Sequence, residues 1–270
     1  MSRQRSSVPE ASKAPKPFLT VYSLDRDHSQ HSLSIYVTKL QLRLRHGGIR
    51  YENGLGTRGD APKKKFPYVR FEESGELMGD SALITERLVR EGRLEDLNGR
   101  LTAEEKARDY CLRVMIEDRL YYLVNYERWF MNYPLMRDTG PFGHLPWGLR
   151  HVAGFVGLQY VRMMLFFQGT GRHTPDEVRH FTDEAVDAIA GFAEAARDKA
   201  GGAGNKEAPF WILGGEKPTE ADFTLFGALS GYLVNPIQPA TTARVKESPA
   251  LIDYVQRIHR AYFPDYRGFP

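Results

Sequence analysis

Two rhythms of apolar and polar positions divide the chain. Between residues 18 and 95, short β-rich runs alternate with helical patterns. FLTVYS (18–23) reads as a strand. SIYVTKLQLRLRH then carries apolar residues at Ile35, Leu40, Leu42 and Leu44 and stops at Gly47-Gly48. Glycine just past the last turn is a helix stop, because it takes the left-handed cap conformation without a Cβ penalty. IRYE (49–52) is a second short strand, and YVRF and ELM flank the turn sequence Glu72-Glu73-Ser74-Gly75 as an antiparallel hairpin. SALITERLVR follows as a helix whose start is marked by Asp80 and Ser81. The order strand, helix, strand, strand, strand, helix predicts a small α/β unit with a mixed sheet.

From residue 102 onward the rhythm is helical. Thr102 with Glu105 three positions later predicts a capping box, opening a long helix that runs to about Tyr133. KPTEADFTLFGAL holds a second box, Thr219 with Asp222, with Pro218 and Phe223 at the staple positions. Phe223, Phe226 and Gly227 then point inward, Gly227 allowing a close approach. This box builds structure and performs no chemistry. HVAGFVGLQYVRMMLFFQG, from His151, is the most membrane-like stretch, but Arg162 near its middle costs about 2.5–3.5 kcal/mol in a bilayer. It is expected to be a buried helix. GGAGNKE (201–207) reads as a flexible loop, and no internal repeat is visible.

Composition narrows the classes. A 270-residue chain with 41% hydrophobic and 26% charged residues fits an ordinary globular protein. A formal net charge of +3, with basic and acidic residues interspersed, gives no footing for nucleic-acid binding. The first 17 residues are polar, rich in Pro and Ser, and read as a disordered tail without a signal-peptide core. Cys111 is the lone cysteine, which excludes an internal disulfide or a CxxC pair. A reducing, cytoplasmic setting is the simplest fit. His and Cys show no metal-ligand spacing, and no glycine-rich nucleotide loop sits between a strand and a helix.

One stretch poses a question: in KKKFPYV (63–69), Pro67 enters what reads as a strand. Proline lacks the N–H a ladder needs and is tolerated at strand starts and edges. Either a solvated basic turn leads into an edge strand, or a cis proline presents the backbone of Phe66 to a ligand.

The arrangement of a small mixed-sheet unit followed by helices with a late capping box resembles the glutathione S-transferase superfamily. SLSIYVTKLQLRLRHGGIRYE, LRVMIEDRLYYLVNYERW, GTGRHTPDEV, PTEADFTLFGAL and SPALIDYVQRIHRAYFPDY resemble blocks of its failed-axon-connections and metaxin-like branch, over roughly residues 18–267. The resemblance implies an α/β plus all-α fold: a thioredoxin-like N-terminal domain with a mixed four-stranded sheet (18–95), then a helical glutathione-transferase C-terminal domain (101–267).

It also implies a site for glutathione. Pro67 matches the family's cis proline, and Phe66 before it would offer backbone N–H and C=O to the cysteinyl part in the manner of an added strand. Lys65 falls where a contact to the glycine carboxylate is common; a solvated lysine fits equally. Asp80 and Ser81 match the acid-serine pair at a helix start, Ser81 holding the γ-glutamyl carboxylate and Asp80 facing its ammonium. Plain capping explains the same two residues. Ser34 matches the group that donates to the glutathione thiolate, although an N-cap role fits as well; Tyr22 is the second candidate donor, and a strand tyrosine is otherwise core. Tyr122, Tyr126, Trp129 and Tyr133 form an aromatic stripe that is ordinarily core. In this fold that helix lines the electrophile pocket, so Tyr122 and Tyr126 are its candidate lining. His28 and His31 lie in the loop before the first helix and are candidates to touch a substrate, although a lone loop histidine is usually solvated.

The chain departs from its relatives at Ser34-Ile35-Tyr36-Val37, where they often read Ser-Pro-Phe-Cys. Losing that cysteine removes support for mixed-disulfide chemistry. The expected activity is therefore a glutathione-dependent transferase. It activates the thiolate toward a small hydrophobic electrophile, by conjugation or by reversible addition with cis–trans isomerisation. The alternative is a non-catalytic adaptor or transport component. A homodimer is expected, and neither nucleic acid nor a membrane is an expected partner.

Overall fold

The structure is a computed structural model that describes residues 16–201 and 208–270. Most of the predicted tail (1–17) and of the predicted loop (201–207) lies outside the described residues.

Strands β1 (Leu19–Ser23), β2 (Tyr51–Leu55), β3 (Tyr68–Phe71) and β4 (Leu77–Gly79) form one sheet in the order β2-β1-β3-β4. β2 lies parallel to β1, while the β1/β3 and β3/β4 pairs are antiparallel, so the sheet is mixed, as the element order predicts. β2 begins and ends later than expected. Its register with β1 matches Tyr51 to Leu19 and Leu55 to Ser23, so pairing carries the strand through Asn53-Gly54, residues with little strand preference of their own. Leu19, Val21, Val69 and Phe71 face α1 (Ile35–His46) and α2 (Ser81–Arg90) in a closed apolar layer with Val37, Leu40, Leu44, Ile84 and Leu88.

The long helix predicted from Thr102 is continuous but not uniform. It comprises α3 (Ala103–Val114), α4 (Tyr121–Tyr126) and two π-wound stretches, Met115–Leu120 and Glu127–Met131. The Thr102–Glu105 capping box is present. Further helices are α5 (Tyr133–Thr139), α6 (Trp147–Gln168), α7 (Pro175–Lys199), α8 (Glu220–Val234), α9 (Pro239–Lys246) and α10 (Pro249–Tyr262).

α8 is the central helix. Its box closes with Thr219 N–H donating to the Asp222 carboxylate at 2.7 Å, and its side chains from Ala221 to Leu233 are buried. α1 crosses it where Gly227 permits contact: a Cβ there would sit 2.4 Å from the Ile35 carbonyl oxygen and 2.9 Å from the Lys39 nitrogen. Gly227→Ala is expected to cost about 1–3 kcal/mol through overpacking. A thermal-unfolding comparison checks this, and wild-type stability would show that α1 and α8 separate freely. Polar bridges reinforce the same seam. Lys39 pairs with Glu117 at 2.6 Å, Thr224 donates to the same carboxylate at 3.2 Å, and Arg43 pairs with Glu220 at 2.9 Å.

α6 overturns one expectation. The segment is helical but not buried: only Gly154, Val161 and Leu165 are shielded. Trp147, Val152, Phe155, Val156, Met163 and Phe167 stand in solvent, Phe167 at 76% of full exposure. An apolar composition predicts burial only if a layer exists on each apolar side. Here Gly157 meets Trp129 and Phe142, Gly154 meets Arg137, and among the described residues no element covers the outer side.

Candidate functional site

The site elements meet at one end of the sheet for topological reasons. β1 and β2 are parallel, so α1 must return across the sheet, which puts its N-terminus at the C-terminal end of β1. β3 begins at that end, because Tyr22 pairs with Tyr68. β4 ends there, with Gly79 opposite Tyr68, and delivers Asp80 and the start of α2 to the same edge.

Ser34 stands before α1 with φ −89° and ψ 113°. Its carbonyl accepts from Val37 and Thr38, and its N–H donates to Ser32 Oγ at 3.0 Å. Ser32 is itself fixed by donating to Asp25 at 2.5 Å. The Ser34 hydroxyl makes no capping bond and is half-buried. The residue thus occupies the N-cap position without spending its hydroxyl on the helix, which leaves a positioned donor beside a helix N-terminus.

Asp80 does cap. One carboxylate oxygen accepts from Ala82 N–H at 3.0 Å and Leu83 N–H at 3.2 Å. Its backbone has φ 89° and ψ 114°, a region that non-glycine residues rarely adopt, at a cost on the order of 1–3 kcal/mol. Ser81 is buried as the first residue of α2, next to amide groups that no intrahelical acceptor reaches. Asp80 takes two of the helix's N–H groups, and its second carboxylate oxygen has no hydrogen-bond partner among the described residues.

The Phe66–Pro67 peptide bond is cis. The Pro67 carbonyl accepts from Asp80 N–H at 3.4 Å, which ties the start of β3 to the start of α2. Among the described residues, neither the N–H nor the C=O of Phe66 enters a backbone hydrogen bond. Lys65 is exposed, whereas neighbouring Lys64 has φ 54° and donates to the Gly59 carbonyl at 2.7 Å.

The aromatic stripe splits. Tyr122 is half-buried, edge-on to Tyr121 at 5.2 Å, and burial raises its phenol pKa. Tyr126 departs from the pocket role expected of it. It is buried in a cluster with Trp129, Val161 and Leu165, and its hydroxyl donates to the His173 carbonyl at 3.0 Å. Tyr122 and Tyr126 both belong to α4, one turn apart, and the difference is what covers them: Trp129, Val161 and Leu165 close over Tyr126, whereas Tyr122 only partly packs against that cluster.

Tyr36 is the aromatic the sequence reading passed over as a mere departure from the family. It stands on α1 two residues after Ser34, packs edge-on to Tyr121 at 5.4 Å and reaches the Glu117 carbonyl at 3.5 Å. Burial, then Tyr121 and Glu117, hold its phenol far above the usual range, so it stays a neutral donor. Its signal was visible: a tyrosine at i+2 from the candidate serine, on a helix that faces the second half of the chain. Tyr160 of α6 is a second omission, with the Arg58 guanidinium 5.8 Å from its ring.

Tyr22 is not brought to this cluster. Its ring stacks on Tyr68 at 4.7 Å, on the sheet face opposite the α1/α2 layer, where Gly54 and Gly56 leave room for it. His31 is buried, 2.9 Å from His259 and ringed by Phe226, Phe263 and Phe269; burial pushes its pKa down to about 3. His28 lines an open groove beside β2 with Arg45, Tyr51 and Asp265.

Together these elements define a class: a thioredoxin-like α/β unit, with Ser34, Phe66 and Asp80 gathered at one end of its sheet, followed by a helical unit. Comparison with known proteins agrees. A family model described as glutathione S-transferase N-terminal domain matches residues 35–136. Failed axon connections of Drosophila melanogaster is 27% identical, over 93% of this chain and 59% of that protein, so the chain spans well under two thirds of that relative's length. The isoprene-epoxide–glutathione S-transferase of Rhodococcus sp. (strain AD45) is 27% identical over 90% of this chain and 99% of that protein. Among solved structures, a glutathione transferase from Phanerochaete chrysosporium aligns with TM-score 0.57 at 12% identity, covering 95% of this chain and 100% of the other. One from Methylobacterium radiotolerans, in complex with glutathione sulfonate, gives 0.55 at 14% identity, covering 93% and 97%. Residues 35–136 thus resemble the glutathione S-transferase N-terminal domain, and the chain over most of its length is similar to glutathione S-transferases in sequence and fold.

Proposed function

We propose that this protein binds glutathione at the sheet end described above and activates its thiol for attack on a small hydrophobic electrophile. The observation that carries the reading is the Ser34 hydroxyl, held at a helix N-terminus and committed to no capping bond. Phe66 would add its backbone N–H and C=O to the cysteinyl segment. The N-terminus of α2 with Ser81 would take the γ-glutamyl carboxylate, Asp80 would face the ammonium, and Lys65 would meet the glycine carboxylate. Ser34 then donates to the sulfur and favours the thiolate, the reactive form of a thiol whose free pKa is near 8.5. In conjugation, the sulfur's electron pair forms a bond to carbon as the electrophile's bond to oxygen or another leaving group breaks. In isomerisation, sulfur adds to an activated double bond, rotation follows, and the sulfur leaves. Tyr36, Tyr121 and Tyr122 supply the apolar wall with hydroxyls at its edge. The full-length match to a transferase named for an epoxide favours conjugation and makes an epoxide the first electrophile to try. A homodimer in a reducing cytoplasm belongs to the same proposal.

Calorimetric titration with reduced glutathione tests it. Wild-type protein is expected to bind at millimolar ligand or below. Asp80→Ala is expected to weaken binding and to lose about 0.5–2 kcal/mol of stability with the cap. Absence of binding by a folded wild type would overturn the enzyme reading in favour of an adaptor that retains only the fold. The Drosophila relative is the observation that keeps that second reading in play.

A further inference from the structure

We propose that α6 is a membrane-surface helix, which docks the protein on an anionic lipid bilayer. α6 has 22 residues, a rod of about 33 Å. At about 100° per residue, Leu149, Val152, Phe155, Val156, Met163 and Phe167 share one arc, and all six are exposed. A patch of this kind is larger than scattered surface hydrophobics and calls for a partner. No helix among the described residues is long and apolar enough to cross a membrane, so the helix would lie in the interface rather than span it.

Charge selects the partner. Residues 139–175 contain no Asp or Glu, and their basic groups are His144, Arg150, His151, Arg162, Arg172 and His173, of which Arg150 lies 3.7 Å from Asp138 and His173 3.6 Å from Glu177. Arg162 is exposed at the edge of the apolar arc, and Arg172 lies 4.7 Å from the Phe166 ring. At the opposite edge, Arg58 sits over Tyr160, and the exposed Lys63 and Lys64 follow it in the same loop. Asp60, the acid of that loop, is hydrogen-bonded to Thr57 at 2.6 Å. Exposed Trp147 opens the helix, where an amphipathic ring suits the headgroup level. An apolar stripe bordered by cations complements a surface of acyl chains and anionic headgroups.

A second copy fits less well. A self-paired α6 would bring two acid-free helices together and supply no carboxylate for Arg162. A protein partner typically makes about one hydrogen bond per 100–200 Å², yet this arc offers little beyond Gln159 and the Tyr160 hydroxyl. Acyl chains require none. The proposal stands independently of glutathione binding.

Co-sedimentation of the full chain with phosphatidylcholine vesicles, with and without one quarter phosphatidylglycerol, tests it. The protein is expected to partition onto the anionic vesicles and to be released by raised salt. Phe155→Ser with Phe167→Ser should lower partitioning about tenfold or more, without a fall in melting temperature, because both side chains are already exposed. Arg162→Glu should weaken binding to anionic vesicles alone. Failure of the wild type to bind either vesicle would overturn the proposal. So would sedimentation equilibrium showing a lipid-free dimer that the double variant dissociates, since the face would then be covered by a second copy.

Discussion

Asp222→Ala is expected to remove about 3–5 kcal/mol of folding stability, a large share of the 5–15 kcal/mol typical of native proteins. Asp222 is fully buried and accepts from Ile212 N–H at 2.7 Å, Thr219 N–H at 2.7 Å, the Tyr254 hydroxyl at 2.9 Å and the Thr219 hydroxyl at 3.2 Å. Truncation leaves these buried donors short of an acceptor, and each unsatisfied group costs about 1–3 kcal/mol. Urea unfolding should show a lower midpoint at an unchanged slope, with Asp222→Asn losing less because an acceptor remains. A loss below about 1 kcal/mol would mean that Tyr254 and the 212–219 turn find other partners.

The same carboxylate gives a signed pH dependence. Burial raises its pKa from 3.8 to about 6, against the opposing pull of its hydrogen bonds. The folded state therefore holds the proton more tightly than the unfolded chain. The contribution is complete below about pH 4 and is lost as pH rises toward and through 6. Stability measured across that window should fall by this increment in the wild type and lack it in Asp222→Ala.

The second large effect concerns chemistry. Ser34→Ala is expected to slow glutathione conjugation of a model epoxide by about 10²-fold, the usual loss when one donor to a developing anion is removed. Glutathione affinity should change little, because the contacts proposed for the γ-glutamyl and cysteinyl segments lie elsewhere. The pH–rate profile carries the diagnosis. Without the donor, its rise should move toward the pKa of a free thiol, near 8.5, and Ser34→Thr should restore part of the rate. Tyr22→Phe is expected to leave both unchanged, since that ring is stacked on Tyr68 on the far face of the sheet. A Ser34→Ala enzyme with full rate and an unmoved profile would pass the donor role to Tyr36, the neutral phenol two residues on.

Much of this molecule is local in origin and so was legible in the chain. Strand alternation, the glycine stop at Gly47-Gly48 and the Thr102 and Thr219 boxes each depend on a few neighbouring residues, and the helices and strands appear where those signals lie. The Phe66–Pro67 bond is cis as the family resemblance implies, and Asp80 and Ser81 start α2 as their capping pattern predicts. Other features were decided by contacts that no window contains. The register with β1 extended β2 through Gly54, and packing by Val161 and Leu165 of α6 put Tyr126 in the core while Tyr122 stayed only partly covered. Tyr36 of α1 meets Tyr121 of α4, a contact between residues far apart in the chain. α6 shows the division most plainly: its apolar residues dictate a helix that must be covered, but whether by protein or by something outside the chain depends on which neighbours the fold supplies. Hydrophobicity states what water must be kept from, and only the tertiary arrangement determines what does the covering.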